Sequence, residues 1–522
     1  MSKAAVYHLS VSDQRFDQAI TASGFLAQRL ADVRAARTLA GREDPTPGFA
    51  DIERTHKNFL YASYRPHVAV ASEYARIKSS GGSTRLGAAG TTLQFTLPVY
   101  GEFTSDIALR VRFPAIGSTT ATTATASTPL LRYCALPGVR LLNRVELRSD
   151  QTLVDDYTPD DVIASSKFFL GDDQRLGWER CMGQQEQREA IFIANGYTSS
   201  LSYRDGAQTP KLAHDSLELM IPLQFGFCRD TAAALFNELI PNSQRVITCE
   251  LAALDKIVAA FTSDVMIGGT LAPTALPFAS LQLEAELYVN NLYTNPEITE
   301  VFQRHVGFSL IRVHRRQVAQ VQSASDMVLL SQLKFPTEYL MVGCRARANA
   351  ADFDRWHLMG APGVRDSNSK LYMPVIRWNN ALSGGVGGTE VVVREAKEVA
   401  TLECQVASLG ITAHSIPLYD MMPAAFYNAY LPMRYPQSRE RLTVTPHDTS
   451  AFLINFCLYP GANQPSGYFN LSGDREMYLK YDIKPSAAEA ASNGGSEFVI
   501  SSSAINFLMR GKGDKIMLRY AL

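Results

Sequence analysis

The chain has 522 residues, of which 46% are hydrophobic and 19% charged, with a formal net charge of −1. That length exceeds the size at which single cores stop growing, so two domains of about 200 residues plus extensions are expected, and the near-neutral balance excludes a surface built mainly to neutralise nucleic acid. The amino terminus lacks the apolar core of a signal peptide and no run reaches the ~18 apolar residues of a membrane span, so a soluble protein made inside a cell is expected.

In chain order, residues 12–40 form the best helix candidate. Phe16, Ala19, Ile20, Leu26, Leu30 and Val33 make an interrupted apolar stripe, Gly24 weakens its middle and Gly41 ends it. Such a segment before a β-rich body reads as an arm that docks on its own domain or on a neighbour. The two prolines of 42–47 exclude helix and make a stiff linker.

From about Thr55 strands take over. Residues 92–98 place Leu93, Phe95 and Leu97 on one face, and Ile107, Leu109, Val111 and Phe113 alternate against Arg110 and Arg112. Residues 117–128 lack both periodicity and charge and read as an exposed loop. Thr158-Pro159-Asp160-Asp161 is a helix start, with an N-cap hydroxyl, proline at the first position and carboxylates at the positive end of the dipole. Residues 175–211 are expected as a long polar loop, followed by strands at 217–227, 245–251 and 281–292. Asn295-Pro296-Glu297 opens a short helix that links two halves.

The second half repeats the grammar, with strands expected at 308–313, 335–342, 371–378, 390–393, 400–406 and 498–508, and loops at 384–388 and 487–496. From 451 to 458, Phe452, Ile454, Phe456 and Leu458 share one face and Ala451, Leu453, Asn455 and Cys457 the other, which predicts a strand buried on both sides. Pro460 and Gly461 stop it, Gln464-Pro465-Ser466-Gly467 turns the chain again, and 468–471 and 477–481 read as returning strands of an antiparallel corner. Two sandwiches in tandem follow.

No catalytic or metal-binding constellation emerges. The nine histidines show no H-E-x-x-H or H-x-H spacing, and His305 and His314 read as surface residues. Asp160-Asp161 fits a helix N-terminus, Asp172-Asp173 fits a turn, and no Gly-rich stretch is followed by the Lys-Ser/Thr that serves a phosphate. Arg312, His314, Arg315 and Arg316 form the one basic cluster, read as a solvated face or an interface with carboxylates rather than a nucleic-acid site. Seven scattered cysteines without a C-x-x-C pair read as reduced structural thiols of a reducing compartment. Asn470-Leu471-Ser472 is a formal glycosylation sequon that such a protein does not use.

The wording of several segments is more specific. A hydrophobic strand, a proline loop, Gln464-Pro465-Ser466-Gly467, an aromatic and Asn470 resemble the second-barrel signature of the double jelly-roll major capsid proteins of nucleocytoplasmic large DNA viruses, with Gly473 where that family commonly has Arg. Residues 221–230, with Phe225 and Phe227, resemble the first-barrel motif, Gly226 standing where an aromatic is common. Residues 287–298, which include Pro296, and 306–314, with 44–47, 74–100, 155–183 and 503–508, are similar to the asfarvirus-like branch in the same order along the chain.

The resemblance implies a mainly β fold of two tandem eight-stranded jelly-roll sandwiches: an arm at 1–54, a first jelly roll at 55–293, a linker helix at 294–305 and a second jelly roll at 306–522. It also implies a homotrimeric, pseudo-hexameric capsomer that contacts neighbouring capsomers and minor capsid and penton proteins. Neither cofactor nor direct nucleic-acid contact is expected, and contact with the inner membrane only indirectly. The product resides in the virion capsid after synthesis in a cytoplasmic virus factory. Phe16, Ile20, Leu26 and Leu30 are then candidate assembly contacts, and the short segment between Gly183 and Leu217 implies low outer towers. The rival is a tandem-sandwich binding protein, lectin-like or cupin-like; a cupin needs clustered His/Glu ligands that the sequence lacks.

Overall fold

The computed structural model describes residues 70–518 except 122–123, 126, 186–187, 195–196, 204–206, 209, 238–243, 262–272, 306–307, 354, 363–371, 378–392, 399–401, 415, 436–442, 472–475, 485–494 and 511–515. The stripe of Phe16, Ile20, Leu26 and Leu30, the linker at 42–47, the loop at 384–388, Gly473 and the His305 side chain therefore lie outside the described residues.

In the first half, eight strands carry the fold: β1 Val70–Lys78, β2 Thr91–Leu97, β3 Phe103–Phe113, β4 Leu142–Ser149, β5 Thr152–Tyr157, β6 Leu217–Pro222, β7 Arg245–Leu251 and β8 Glu284–Thr294. They pair antiparallel in the orders β1-β8-β3-β6 and β2-β7-β4-β5. Alternation decides which side chains meet between the sheets. Leu93 and Phe95 of β2, Ile107, Leu109, Val111 and Phe113 of β3, and Ile247 and Cys249 of β7 are all fully buried in one core. Between β5 and β6 the chain makes helices α1 Pro159–Phe169 and α2 Asp172–Cys181. The expected polar loop thus holds most of a helix, and it also holds the hairpin Arg188–Ala194/Tyr197–Tyr203. Helix α2 buries no residue, so it has no apolar stripe to reveal it.

Helix α3, Pro296–His305, leads to the second half. There the strands are β9 Phe308–Gln320, β10 Ser325–Leu329, β11 Pro336–Ala346, β12 Val406–Ala413, β13 Ile416–Pro423, β14 Ala451–Asn455, β15 Met477–Ile483 and β16 Ser496–Arg510. Their orders are β9-β16-β11-β14 and β10-β15-β12-β13. Numbered within each half, the strands run 1-8-3-6 and 2-7-4-5 in both, so one wiring is used twice.

Every residue of β14 is buried. Phe452 and Ile454 enter the second core, while Ala451 and Leu453 pack on Ala164 and Phe168 of α1. The two-sided burial read from the sequence is therefore supplied by a helix of the first half. The strand stops three residues early. Phe456 N–H makes a last bond to Glu338 O of β11 (2.9 Å), and the Asn455 amide folds back, its Nδ2 donating to Cys457 O (2.5 Å) and its Oδ1 accepting from Cys457 N (3.1 Å), so the chain turns there. Phe456 is consequently half-buried and Leu458 is 69% exposed. The chain also does not return as a simple corner, because Phe469–Asn470 pairs with β11 whereas β15 crosses to the opposite sheet.

Candidate functional site

The two halves meet along a seam built by β5 and α1 on one side and by the outer face of β9-β16-β11-β14 on the other. Helix α1 begins at the expected N-cap, Thr158, whose N–H and Oγ1 donate to Asp161 Oδ2 (2.8 and 3.0 Å). The same acidic turn reaches the second half. Ser501 Oγ donates to Asp161 Oδ1 (2.6 Å), and Arg345 Nη1 donates to Asp160 Oδ1 (2.7 Å) while its Nη2 holds Glu497 (2.7 Å). At the far end of the helix Lys167 pairs with buried Asp448, whose carboxylate also accepts N–H bonds from Met359 (2.6 Å), Gly360 (3.2 Å) and Ser450 (3.1 Å).

The basic cluster resolves into separate partners. His314 is 5% exposed rather than at the surface. Its backbone N–H and its Nδ1 donate to the two Asp155 oxygens at 2.8 and 2.9 Å. Arg316 lies 3.4 Å from Asp156 and 3.7 Å from Asp161. Arg315 is buried with its guanidinium 4.3 Å from the Phe335 ring centre. Trp356 Nε1 donates across the seam to Ala135 O (2.7 Å), and Arg140 sits over the Phe353 and Trp356 rings. Apolar packing is continuous too, since Val313, Phe335, Trp356 and Met359 join the first core. Buried charges paired this fully are costly to separate, so the halves act as one body.

The two sequence signatures converge at one end of this seam. Phe225 and Phe227 are buried and stacked at 5.8 Å, with Tyr157 edge-on to Phe225 at 5.5 Å. Between them Gly226 passes so close to β9 that a Cβ would lie 2.8 Å from Arg312 O, which accounts for glycine where an aromatic is common. The Arg312 side chain then reaches the other signature, donating to Glu338 Oε2 (2.7 Å), Ala462 O (2.6 Å) and Asn463 O (3.2 Å). Asn463 in turn donates to Asp230 of the first motif. Gln464 is exposed, Pro465 and Ser466 are half-buried, Ser466 Oγ accepts from Tyr459 N (2.8 Å), and Gly467 has φ of 130°. Asn470 pairs with Pro336, and Pro296 begins α3 on the surface. A cleft of about 460 Å³ opens beside these motifs, lined by Phe169, Trp178, Arg229, Asp230, Gly461 and Asn463.

Asp155, Asp448, Lys167, Glu338 and Arg345 were not singled out from the sequence for these roles. For Glu338, between Phe335 and Val342, the signal is a charged side chain inside an apolar run, whereas Asp448, in the polar stretch Pro446-His447-Asp448-Thr449, carries no such signal. Among the described residues no group of three or more His, Cys, Asp and Glu side chains is placed to hold a metal, and no helix is long and apolar enough to cross a membrane.

No family model matches the chain. The hexon protein p72 of African swine fever virus (strain Badajoz 1971 Vero-adapted) is 24% identical to it over 658 aligned positions, covering 100% of both chains. The solved Faustovirus major capsid protein superposes with a TM-score of 0.71 at 26% identity, covering 94% of this chain and 99% of that one. The chain is a major capsid protein of a large DNA virus, related to these two and built on the double jelly-roll capsid fold. The PBCV-1 virus capsid shares the fold, with a TM-score of 0.58 at 16% identity over 89% of this chain and 100% of that one. This capsid protein is a structural component of the virion shell and self-assembles, and its family is not catalytic. An alignment of 658 positions against 522 residues also means that the swine fever protein carries insertions this chain lacks.

Proposed function

We propose that three copies close into a homotrimeric, pseudo-hexameric capsomer that tiles an icosahedral face, with boundaries at 1–54, 55–293, 294–305 and 306–522. The observation that carries this reading is the use of one wiring twice in a body locked by buried ion pairs. Each chain then contributes two similar rigid lobes, and three chains make a ring of six. The arm at 1–54 anchors the capsomer to neighbours or to underlying proteins. Minor capsid and penton proteins are the further partners, synthesis takes place in a cytoplasmic virus factory, and the lack of the relative's insertions corresponds to low outer towers.

Light scattering of the purified protein at micromolar concentration tests the reading. A mass of three chains is expected, with an obligate interface on the order of 2,000 to 5,000 Å²; folded monomers would refute it.

A further inference from the structure

The cleft beside the two signatures is built by both halves. Phe169 of α1, Trp178 of α2 and Arg229 and Asp230 of the first signature line it together with Gly461 and Asn463 of the turn after β14. Its volume of about 460 Å³ and its mixture of aromatic rings with a few polar groups are those of a small-molecule site.

Arg229 is the group that points to a ligand. Its Nη1 donates to the hydroxyl of fully buried Tyr339 (3.0 Å), and its guanidinium lies over the Phe169 ring, 5.7 Å from the centre. Phe169 in turn packs on Tyr339 with ring centres 5.1 Å apart, so the cation is held in place by two rings. Among the described residues no carboxylate pairs with it, whereas Arg312, Arg316 and Arg345 of the same seam hold Glu338, Asp156 and Asp160. The adjacent Asp230 is committed elsewhere, its Oδ1 accepting from Ala232 N (3.0 Å) and its Oδ2 from Asn463 Nδ2. A guanidinium offers its N–H donors as a planar fork matched to a carboxylate, and the neutral Tyr339 hydroxyl takes one of them. Close by, α2 buries no residue, and its one aromatic side chain, Trp178, is half-buried against the first core and leaves ring surface at the cleft.

We infer that this cleft binds a small organic carboxylate with a flat apolar body, its head on the Arg229 fork and its body against Phe169 and Trp178. Charge complementarity selects the class. An inorganic anion would satisfy the fork and leave the rings wet, and a neutral ring would leave the fork without its counter-charge. Exposed Asp230 on the same lining disfavours a multiply charged anion. Because the lining comes from both halves, a bound ligand ties α1 and α2 to the turn after β14 and stabilises the chain by mass action. The site is independent of the trimer reading.

The test is isothermal titration calorimetry of the full-length protein with naphthylacetate, its neutral counterpart naphthylacetamide, and acetate. Naphthylacetate is expected to bind saturably at one site per chain, about tenfold tighter than the amide, and acetate more weakly than either. In Arg229→Gln the acid is expected to fall to the affinity of the amide, with binding of the amide unchanged, and Trp178→Leu is expected to weaken both. Arg229 also bonds Tyr339, so a second variant leaves that contact alone. Gln174 is exposed on α2 and lines the cleft; Gln174→Glu is expected to weaken the acid several-fold, to leave the amide unchanged and to keep a wild-type thermal midpoint. Should Arg229→Gln lose the amide as well, Gln174→Glu decides. No saturable binding, equal affinity of the wild type for acid and amide, or acid binding that neither variant weakens overturns the inference.

Discussion

At position 226 a single methyl group is expected to matter. The Cβ of Gly226→Ala would lie 2.8 Å from the Arg312 carbonyl oxygen and 3.1 Å from the Arg312 Cβ, so the turn or the strand must move. A cost of about 1 to 3 kcal/mol is expected, in line with overpacking elsewhere, and urea denaturation measures it. Phe452→Ala is the stronger change, because the ring is fully buried in the second core. A loss of about 3 to 5 kcal/mol is expected, whereas Phe456→Ala should cost less, since that ring is half-buried against Tyr419 and Phe469. If Phe456→Ala proves the costlier of the two in the same experiment, the assignment of inward faces around Asn455 is wrong. Sequence periodicity found Phe452 and Ile454 correctly. It also put Phe456 on the right core, where that ring is only half-buried, and failed at Leu458, because one side-chain amide turns the chain there, an event that period-two counting does not register.

Helix α1 is the element on which the seam turns, and its docking is expected to depend on acid. Burial alone would raise the Asp448 carboxyl, but the Lys167 ammonium and the N–H donors of Met359 and Ser450 outweigh it and hold the group below its ordinary 3.8. A carboxyl with a depressed folded value contributes stability that is full above the unfolded value and is lost as pH falls through the folded one. Protection of α1 amides from hydrogen exchange should therefore fall below about pH 4, and Asp448→Asn should flatten that dependence while lowering protection at neutral pH. Unchanged protection down to pH 2.5 would contradict this role. Elements with one wet and one dry face, such as β2 and β3, were legible from their alternation. The hairpin of β12 and β13 was not, since β13 is exposed over most of its length and shows no inward stripe, and α2 escaped for the same reason. The pairing of the Arg312–Arg316 cluster with carboxylates was within reach of the sequence, but which carboxylates depended on a helix from the other half.

For the whole molecule, the decisive feature is that two halves with the same wiring are joined by buried charge and continuous packing. The sequence carried that organisation mainly through motif resemblance, because periodicity alone speaks of sandwiches and not of their strand order. On the proposed reading the arm is a tether and the two sandwiches are the tile. Deleting residues 1–47 is expected to leave a folded, soluble trimer that no longer joins shells, and aggregation or loss of the trimer would place the arm within the fold. The most direct measurement is electron microscopy of the purified particle with three-dimensional classification and no imposed symmetry. Six similar lobes around a three-fold axis are expected, with adjacent lobes alternating between the two halves of the chain; isolated two-lobed particles, or a two-fold assembly, would contradict the capsomer.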